Sequence, residues 1–203
     1  MENNKNQIRL VIGLLILFLL STCAPRTGTP KIEIEELPGA YTFFEGDTSY
    51  PELYYQAVEK LNAGDYNAAE IIYKDLIEKE PGNVNAYIGL GSSLLAQDRS
   101  REAIAAYEEA LAISPGSVDA RIGLGSTYYM LNEKSEALEH YTAAVELDEN
   151  NPNARWGLAL VLIASGEEEE AIEHLEKVIE LAPDSQLAIG ADDLVDDIRR
   201  RDE

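Results

Sequence analysis

Residues 84–92 read Val-Asn-Ala-Tyr-Ile-Gly-Leu-Gly-Ser, and residues 118–126 read Val-Asp-Ala-Arg-Ile-Gly-Leu-Gly-Ser, so nearly the same stretch returns with an offset of 34 (118 minus 84). The same offset connects Ala103 with Ala137 and Ala137 with Ala171. A fixed repeat period of this length is typical of stacked structural repeats, each of which cannot bury its apolar face alone. The chain is therefore predicted to present an extended surface rather than to enclose a reactive pocket.

Each copy is predicted to contain two amphipathic helices joined by a tight turn. In the second copy, Tyr87, Leu90 and Leu94 fall at i, i+3 and i+7, which is one face of a helix. Proline ends the second helix in most copies, because it lacks an N–H group and crowds the preceding turn. The turns carry residue types that tolerate a left-handed backbone: Gly64, Asp98, Asn132 and Gly166. Four copies follow one another, at residues 50–83, 84–117, 118–151 and 152–185.

The second copy carries the residues that identify the repeat, namely Leu90-Gly91, Ala103, Tyr107, Ala110 and Pro115. This pattern resembles the tetratricopeptide repeat, and it has counterparts in the other copies over residues 50–185. The resemblance implies an all-α fold, a right-handed superhelical solenoid of four helical hairpins. Residues 186–203 combine an apolar stripe with an acidic back, which predicts the capping helix and tail that a solenoid needs to cover its last open edge.

The first 22 residues have the layout of an export signal. Two cations precede an apolar run over residues 10–20, which at about 1.5 Å per residue is too short to cross a bilayer core of about 30 Å. The run ends in Leu20-Ser21-Thr22-Cys23, which resembles the lipobox of bacterial lipoproteins. The resemblance implies cleavage before Cys23, lipidation of its thiol, and a place in the cell envelope on the non-cytoplasmic side of a membrane, the outer membrane where the organism has one. The alternative is an ordinary signal peptide or an uncleaved anchor with an incidental cysteine.

Residues 23–49 join the expected lipidation site to the repeats. They are rich in proline and glycine, which predicts a flexible tether. Tyr41, Phe43 and Phe44 are unusually apolar for such a segment. We expect these aromatic side chains to pack on the exposed edge of the first repeat. The alternative is that they occupy the groove of the repeats.

Composition excludes several classes of function. Acidic residues outnumber basic ones by 38 to 16, giving a formal charge of −22, so nucleic-acid binding is not expected. Cys23 is the only cysteine, which excludes disulfides and thiolate metal sites from the repeats. His140 and His174 are the only histidines, and repeat register explains their separation better than a shared metal ion does. No nucleophile has a base within its own motif, so neither a cofactor nor an enzyme activity is expected.

In the tetratricopeptide repeat family, the first helix of each hairpin lines a concave groove in which peptide ligands lie. Mapping that face onto this chain gives an apolar wall without the Lys, Arg and Asn pattern of the family's carboxylate clamp. An apolar or amphipathic protein segment is therefore the expected ligand, with Trp156 as an anchor. The alternative is that many of these side chains pack against neighbouring helices. The ten groove residues are Tyr54, Ile88, Ser92, Leu95, Ile122, Ser126, Tyr129, Trp156, Leu160 and Ile163.

Together, these features predict a lipid-anchored, monomeric scaffold for protein–protein interaction in the cell envelope. A more specific interpretation, by analogy alone, is an assembly factor or accessory for a pilus, a secretion system, outer-membrane proteins or a cell-wall enzyme. A groove that binds a small molecule or a glycan is a further alternative.

Overall fold

The computed structural model describes residues 49–201, and every regular element within that range is an α-helix. The predicted signal peptide, Cys23 and the aromatic residues of the tether lie outside the described residues. The helices are α1 (Ser49–Asn62), α2 (Tyr66–Lys79), α3 (Val84–Leu95), α4 (Ser100–Ile113), α5 (Val118–Met130), α6 (Lys134–Leu147), α7 (Pro152–Ser165), α8 (Glu168–Leu181) and α9 (Gln186–Arg201).

The helices pair in chain order into four hairpins, α1–α2, α3–α4, α5–α6 and α7–α8, followed by α9. Each hairpin packs on the next, and the first helix of each hairpin also contacts the first helix of its successor. The predicted all-α solenoid is confirmed.

The turn inside each hairpin has a left-handed backbone. The φ angle is +77° at Gly64, +60° at Asp98, +62° at Asn132 and +86° at Gly166. Residues of this kind let a helix end in a tight reversal, because glycine, asparagine and aspartate tolerate positive φ better than other residues. The turn positions predicted from the sequence are confirmed.

The ends of the helices are also set by the repeat. Asn83, Ser117 and Asn151 each accept a hydrogen bond from the backbone N–H three residues later, at 3.0, 3.3 and 3.1 Å. These caps satisfy N–H groups that a helix start leaves unpaired, so α3, α5 and α7 begin in the same way. At the other end of the hairpins, α2, α4 and α8 stop two residues before a proline, as predicted.

Tyrosine rings fill the space between consecutive hairpins, and glycines make room for them. A Cβ atom on Gly91 would lie 2.7 Å from the ring of Tyr107, and one on Gly123 in the next hairpin would lie 2.4 Å from the same ring. The ring of Tyr141 is held against the following hairpin in the same way, 2.0 Å from the Cβ position of Gly157. The glycines inside the helices therefore allow the close packing of consecutive hairpins.

The last helix, α9, begins one repeat period after α7, at the position where the first helix of a further hairpin would begin. Like such a first helix, it has one apolar face that packs on the preceding hairpin. Ala191 and Val195 on that face are buried against the fourth hairpin. On the opposite side, where a second helix would pack, α9 carries Asp192, Asp193 and Asp196, which are exposed. Three carboxylates at these positions oppose further stacking, so α9 closes this end of the solenoid.

Candidate protein-interaction surface

The groove residues lie on the first helices α1, α3, α5 and α7, but they differ in exposure. Tyr54, Tyr129 and Ile163 are half-buried. The other seven are buried, with 1 to 8% of their surface exposed: Ile88, Ser92, Leu95, Ile122, Ser126, Trp156 and Leu160. The accessible part of the candidate wall therefore lies at the three half-buried side chains. A role of the whole set in ligand binding stays a prediction.

The two serines among the groove residues bind core tyrosines of their own hairpins. The hydroxyl oxygens of Ser92 and Tyr107 are 3.1 Å apart, and those of Ser126 and Tyr141 are 2.7 Å apart. Burial raises the pKa of the Tyr141 phenol, so this hydroxyl stays protonated. Because a buried hydroxyl needs a partner, each serine stabilises the core of its hairpin. The fourth hairpin has leucine at both equivalent positions and needs no such bond.

Trp156 fixes the capping helix to the fourth hairpin. Its Cη2 atom lies 3.0 Å from the position that a Cβ atom would take on Gly190 of α9. The glycine thus leaves room for the indole ring, and 8% of the Trp156 residue remains exposed. Only a small part of the Trp156 surface is available to a ligand.

A cluster of polar side chains around one buried carboxylate joins the first two hairpins. The sequence did not indicate it. Glu70 on α2 is buried, and its Oε2 accepts hydrogen bonds from Nη1 of Arg99 at 2.7 Å and from Nε2 of Gln97 at 3.0 Å. Its other oxygen accepts from Nζ of Lys74 at 2.7 Å. The hydrogen bond from Lys74 lowers the pKa of Glu70 the most, and together the three hydrogen bonds bring this pKa to about 2. The carboxylate therefore stays charged and ties α2 to the turn between α3 and α4.

The two histidines pair with arginines of their own hairpins. Nη1 of Arg121 is 3.5 Å from Nδ1 of His140, and Nη1 of Arg155 is 3.3 Å from Nδ1 of His174. A guanidinium only donates, so each Nδ1 accepts in the neutral imidazole. Burial, and after it the neighbouring arginine, lowers the pKa of both histidines. Tyr128 stacks on His140, with ring centroids 5.4 Å apart.

Residues 49–201 contain no group of three or more His, Cys, Asp or Glu side chains arranged to hold a metal ion. The glutamates at 168–170 occupy the first turn of α8, where the helix dipole favours acidic side chains. Arg201 at the end of α9 reaches Glu168 at 3.1 Å. No helix in this part of the chain has the length and apolar character needed to cross a bilayer.

The hairpins, the left-handed turns and the glycine–tyrosine contacts all recur with the same repeat period. Two family models, each described as tetratricopeptide repeat, match the chain, one at residues 54–118 and 88–152 and the other at residues 135–190. The chain belongs to the tetratricopeptide repeat family. Proteins of this family bind other proteins or peptides and are generally non-catalytic scaffolds, which is the class of function that the fold indicates here.

Solved structures of tetratricopeptide repeat proteins are similar over most of their length. MamA matches with 28% identity and a TM-score of 0.56, covering 69% of this chain and 86% of MamA. TTC0263 from Thermus thermophilus matches with 22% identity and a TM-score of 0.68, covering 74% of this chain and 84% of TTC0263. YrrB, which has an unusual peptide-binding site, matches with 22% identity and a TM-score of 0.55, covering 71% of this chain and 86% of YrrB. The last two show a shared fold alone. No curated protein sequence matches.

Proposed function

We propose that this tetratricopeptide repeat protein is a lipid-anchored scaffold of the cell envelope that holds an apolar or amphipathic segment of another protein. The observation that carries the binding part is the uneven burial of the groove residues. Tyr129 and Ile163 stay half-buried on consecutive first helices, while most of the other groove residues are buried. A tyrosine and an isoleucine on a rigid wall are suited to anchoring an apolar ligand side chain.

Photo-crosslinking in cells of the native organism tests the binding surface. A photoreactive amino acid replaces Tyr129 or Ile163, and the control replaces Ile71, which is 69% exposed on α2 and is not a groove residue. We expect positions 129 and 163 to capture the same partner and position 71 to capture none of it. Equal capture from position 71 would contradict the proposed groove. Trp156→Ala is a poor test, because loss of the indole would also loosen α9.

The anchor is supported by the run of residues that ends in Leu20-Ser21-Thr22-Cys23. Labelling with radioactive palmitate is expected to follow the polypeptide, and Cys23→Ala is expected to abolish it. Dual acylation would make attachment stable, because each buried CH₂ contributes about 0.8 kcal/mol. If the unmodified polypeptide takes up no label, or no more label than the Cys23→Ala variant, the proposed lipid anchor is contradicted. The proposal of an interaction scaffold would then remain without the anchor.

A further inference from the structure

The N-terminal edge of the first hairpin differs from the face that each later hairpin presents to its predecessor. On that face the later hairpins have a glycine that the tyrosine ring of the preceding hairpin contacts, namely Gly89, Gly123 and Gly157. A Cβ atom on Gly89, for example, would lie 2.2 Å from the ring of Tyr73. One repeat period before Gly89, the first hairpin carries Tyr55, which is 54% exposed. Tyr55 therefore lies at the position where the other hairpins receive an aromatic ring.

Tyr55 is the outermost ring of an aromatic cluster that begins in the core. Tyr73 is fully buried, and the ring of Tyr54 meets it edge-on with the centroids 6.4 Å apart. Tyr54 meets the ring of Tyr55 in the same way at 6.2 Å. Aromatic rings prefer such edge-to-face contacts at centroid distances of about 4.5–7 Å. The cluster thus leads from the core to a ring with more than half of its residue surface accessible.

The charges at this edge disfavour a second copy of the chain as its occupant. Glu52 and Glu59, one helical turn to either side of Tyr55, are exposed. The equivalent residues of the second and third hairpins are fully buried, namely Ala86, Ser93, Ala120 and Thr127. The open side of α9, at the other end of the solenoid, carries three exposed aspartates. Stacking the end of one copy on the start of another would therefore bring carboxylates together, and like charges repel.

The chain itself has an uncharged aromatic segment just before α1. Residues 41–44 read Tyr-Thr-Phe-Phe and lie outside the described residues. Five peptide units lead from Phe44 to Ser49, where α1 begins, and they span at most about 17 Å. Tyr55 lies six residues into α1, which is about 9 Å along the helix axis. The connection is therefore long enough for residues 41–44 to reach Tyr55.

We propose that residues 41–44 pack on Tyr55 and complete the N-terminal edge of the solenoid. The two phenylalanines extend the cluster of tyrosines, as the tyrosine of a preceding hairpin would. Because the segment itself has no charge, it contacts the ring without bringing a further carboxylate against Glu52 and Glu59. At this location the segment leaves the groove residues accessible to another protein. The proposal depends neither on the lipid anchor nor on the proposed groove.

Photo-crosslinking of the purified full chain tests the location of the segment. p-Benzoylphenylalanine, which is itself aromatic, replaces Tyr55, and mass spectrometry after irradiation maps the residues that it captures. We expect capture of residues 41–44 of the same chain, on a product with the mass of a monomer. The matched control places the photoreactive amino acid at Ile189, which is also 54% exposed but lies on α9. Position 189 is expected to capture none of this segment.

A double-mutant cycle tests whether the contact stabilises the fold. Phe43→Ser with Phe44→Ser is expected to raise the equilibrium constant of unfolding about fivefold, which corresponds to about 1 kcal/mol. After Tyr55→Ala, the same pair of substitutions is expected to change this constant less than about twofold, because the contact is already lost. Ile189→Ala is the control background, in which the effect of about fivefold is expected to persist.

Several outcomes would overturn the proposal, provided that circular dichroism shows each variant to be folded. Capture of residues 41–44 from position 129, and not from position 55, would mean that the segment occupies the groove. Capture of a second, isotope-labelled copy from position 55 would mean that copies of the chain associate at this edge. An equal effect of the phenylalanine substitutions with and without Tyr55→Ala would mean that they stabilise the chain elsewhere.

Discussion

The buried hydroxyls of Ser126 and Tyr141 form one hydrogen-bonded pair. We expect removal of the serine hydroxyl to lower the free energy of unfolding more than removal of the tyrosine hydroxyl does. After Tyr141→Phe, the hydroxyl of Ser126 can donate to the carbonyl of Ile122, as Ser92 donates to the carbonyl of Ile88 at 3.0 Å. We therefore expect a loss of about 1 kcal/mol of unfolding free energy. After Ser126→Ala, the Tyr141 hydroxyl stays buried without that partner, 2.7 Å from where the oxygen was, and the expected loss is about 2 kcal/mol.

The combined variant is expected to be more stable than Ser126→Ala alone, because phenylalanine leaves no phenol to satisfy. Urea unfolding, followed by circular dichroism and by fluorescence, measures the free energy of unfolding of the unmodified full chain, the two single variants and the combined variant. Two probes are needed because repeat arrays do not always unfold in one step. A loss of about 1 kcal/mol lowers Tm by about 2–4 °C in a chain of this size. Tyr129→Phe on the same helix as Ser126 is the control, with an expected change below about 0.5 kcal/mol. Additive losses within about 0.5 kcal/mol would refute the coupling of the two hydroxyls.

Gly157→Ala is expected to destabilise the chain by about 1–2 kcal/mol in urea unfolding, since the added Cβ would lie 2.0 Å from the ring of Tyr141 and the gain in helix propensity is smaller than the strain. Gly116→Ala is its control, because a Cβ atom added there would have no neighbouring atom within 4 Å, and it should leave the free energy of unfolding nearly unchanged. Glu70→Gln is expected to lower the free energy of unfolding in urea by about 1–2 kcal/mol at pH 7. Because the pKa of Glu70 is lowered from 4.5 to about 2, this difference from the unmodified chain should shrink as the pH falls from 4.5 toward about 2. For His174, whose pKa is lowered in the folded chain, the neutral form stabilises the fold above pH 6.5 and this stability is lost as pH falls through the lowered pKa. His174→Gln should therefore narrow the difference in Tm between pH 7.5 and pH 5, and an unchanged difference would contradict the lowered pKa of His174.

The stacking of hairpins could be predicted because a fixed repeat period is itself a structural constraint. Every copy must bury the same faces against its neighbours, so small residues such as Gly123 and Ala137 recur where helices approach closely. The left-handed turns could be predicted for a local reason, since few residue types adopt positive φ at Asp98 or Asn132. These features depend on backbone geometry and on the size of one side chain at a time.

The burial of most groove residues could not be predicted from one copy. Helical periodicity assigns a residue to a face, but the exposure of that face depends on how tightly successive first helices approach each other. Ser92 looks like an exposed polar position until its bond to Tyr107 is seen. A partial signal was available in the comparison of copies, because Ser92 and Ser126 each precede a tyrosine by 15 positions and Leu160 precedes Leu175. The first copy departs from this pairing, since Val58 precedes Tyr73.

The same comparison identifies side chains that serve contacts inside a hairpin. Arginine at positions 121 and 155 is accompanied by histidine 19 positions later, whereas Tyr87 in the second hairpin is accompanied by Ala106. A cation beside a neutral imidazole replaces an aromatic ring beside a small residue, so the two positions change together. Glu70 gave no such signal, because two of its partners, Gln97 and Arg99, lie in the next hairpin and the other copies have no equivalent cluster among the described residues.

Exposed positions differ from these paired positions, because no contacting side chain has to change together with them from one copy to the next. Ile113 and Leu147 are aliphatic and exposed, while the equivalent position of the first hairpin is Lys79. Folding gains little from an aliphatic side chain that stays in water, because its contribution scales with the apolar area removed from water. The apolar area that folding leaves exposed at these two side chains stays available to binding. Most of the groove residues, by contrast, have already contributed their apolar area to the core.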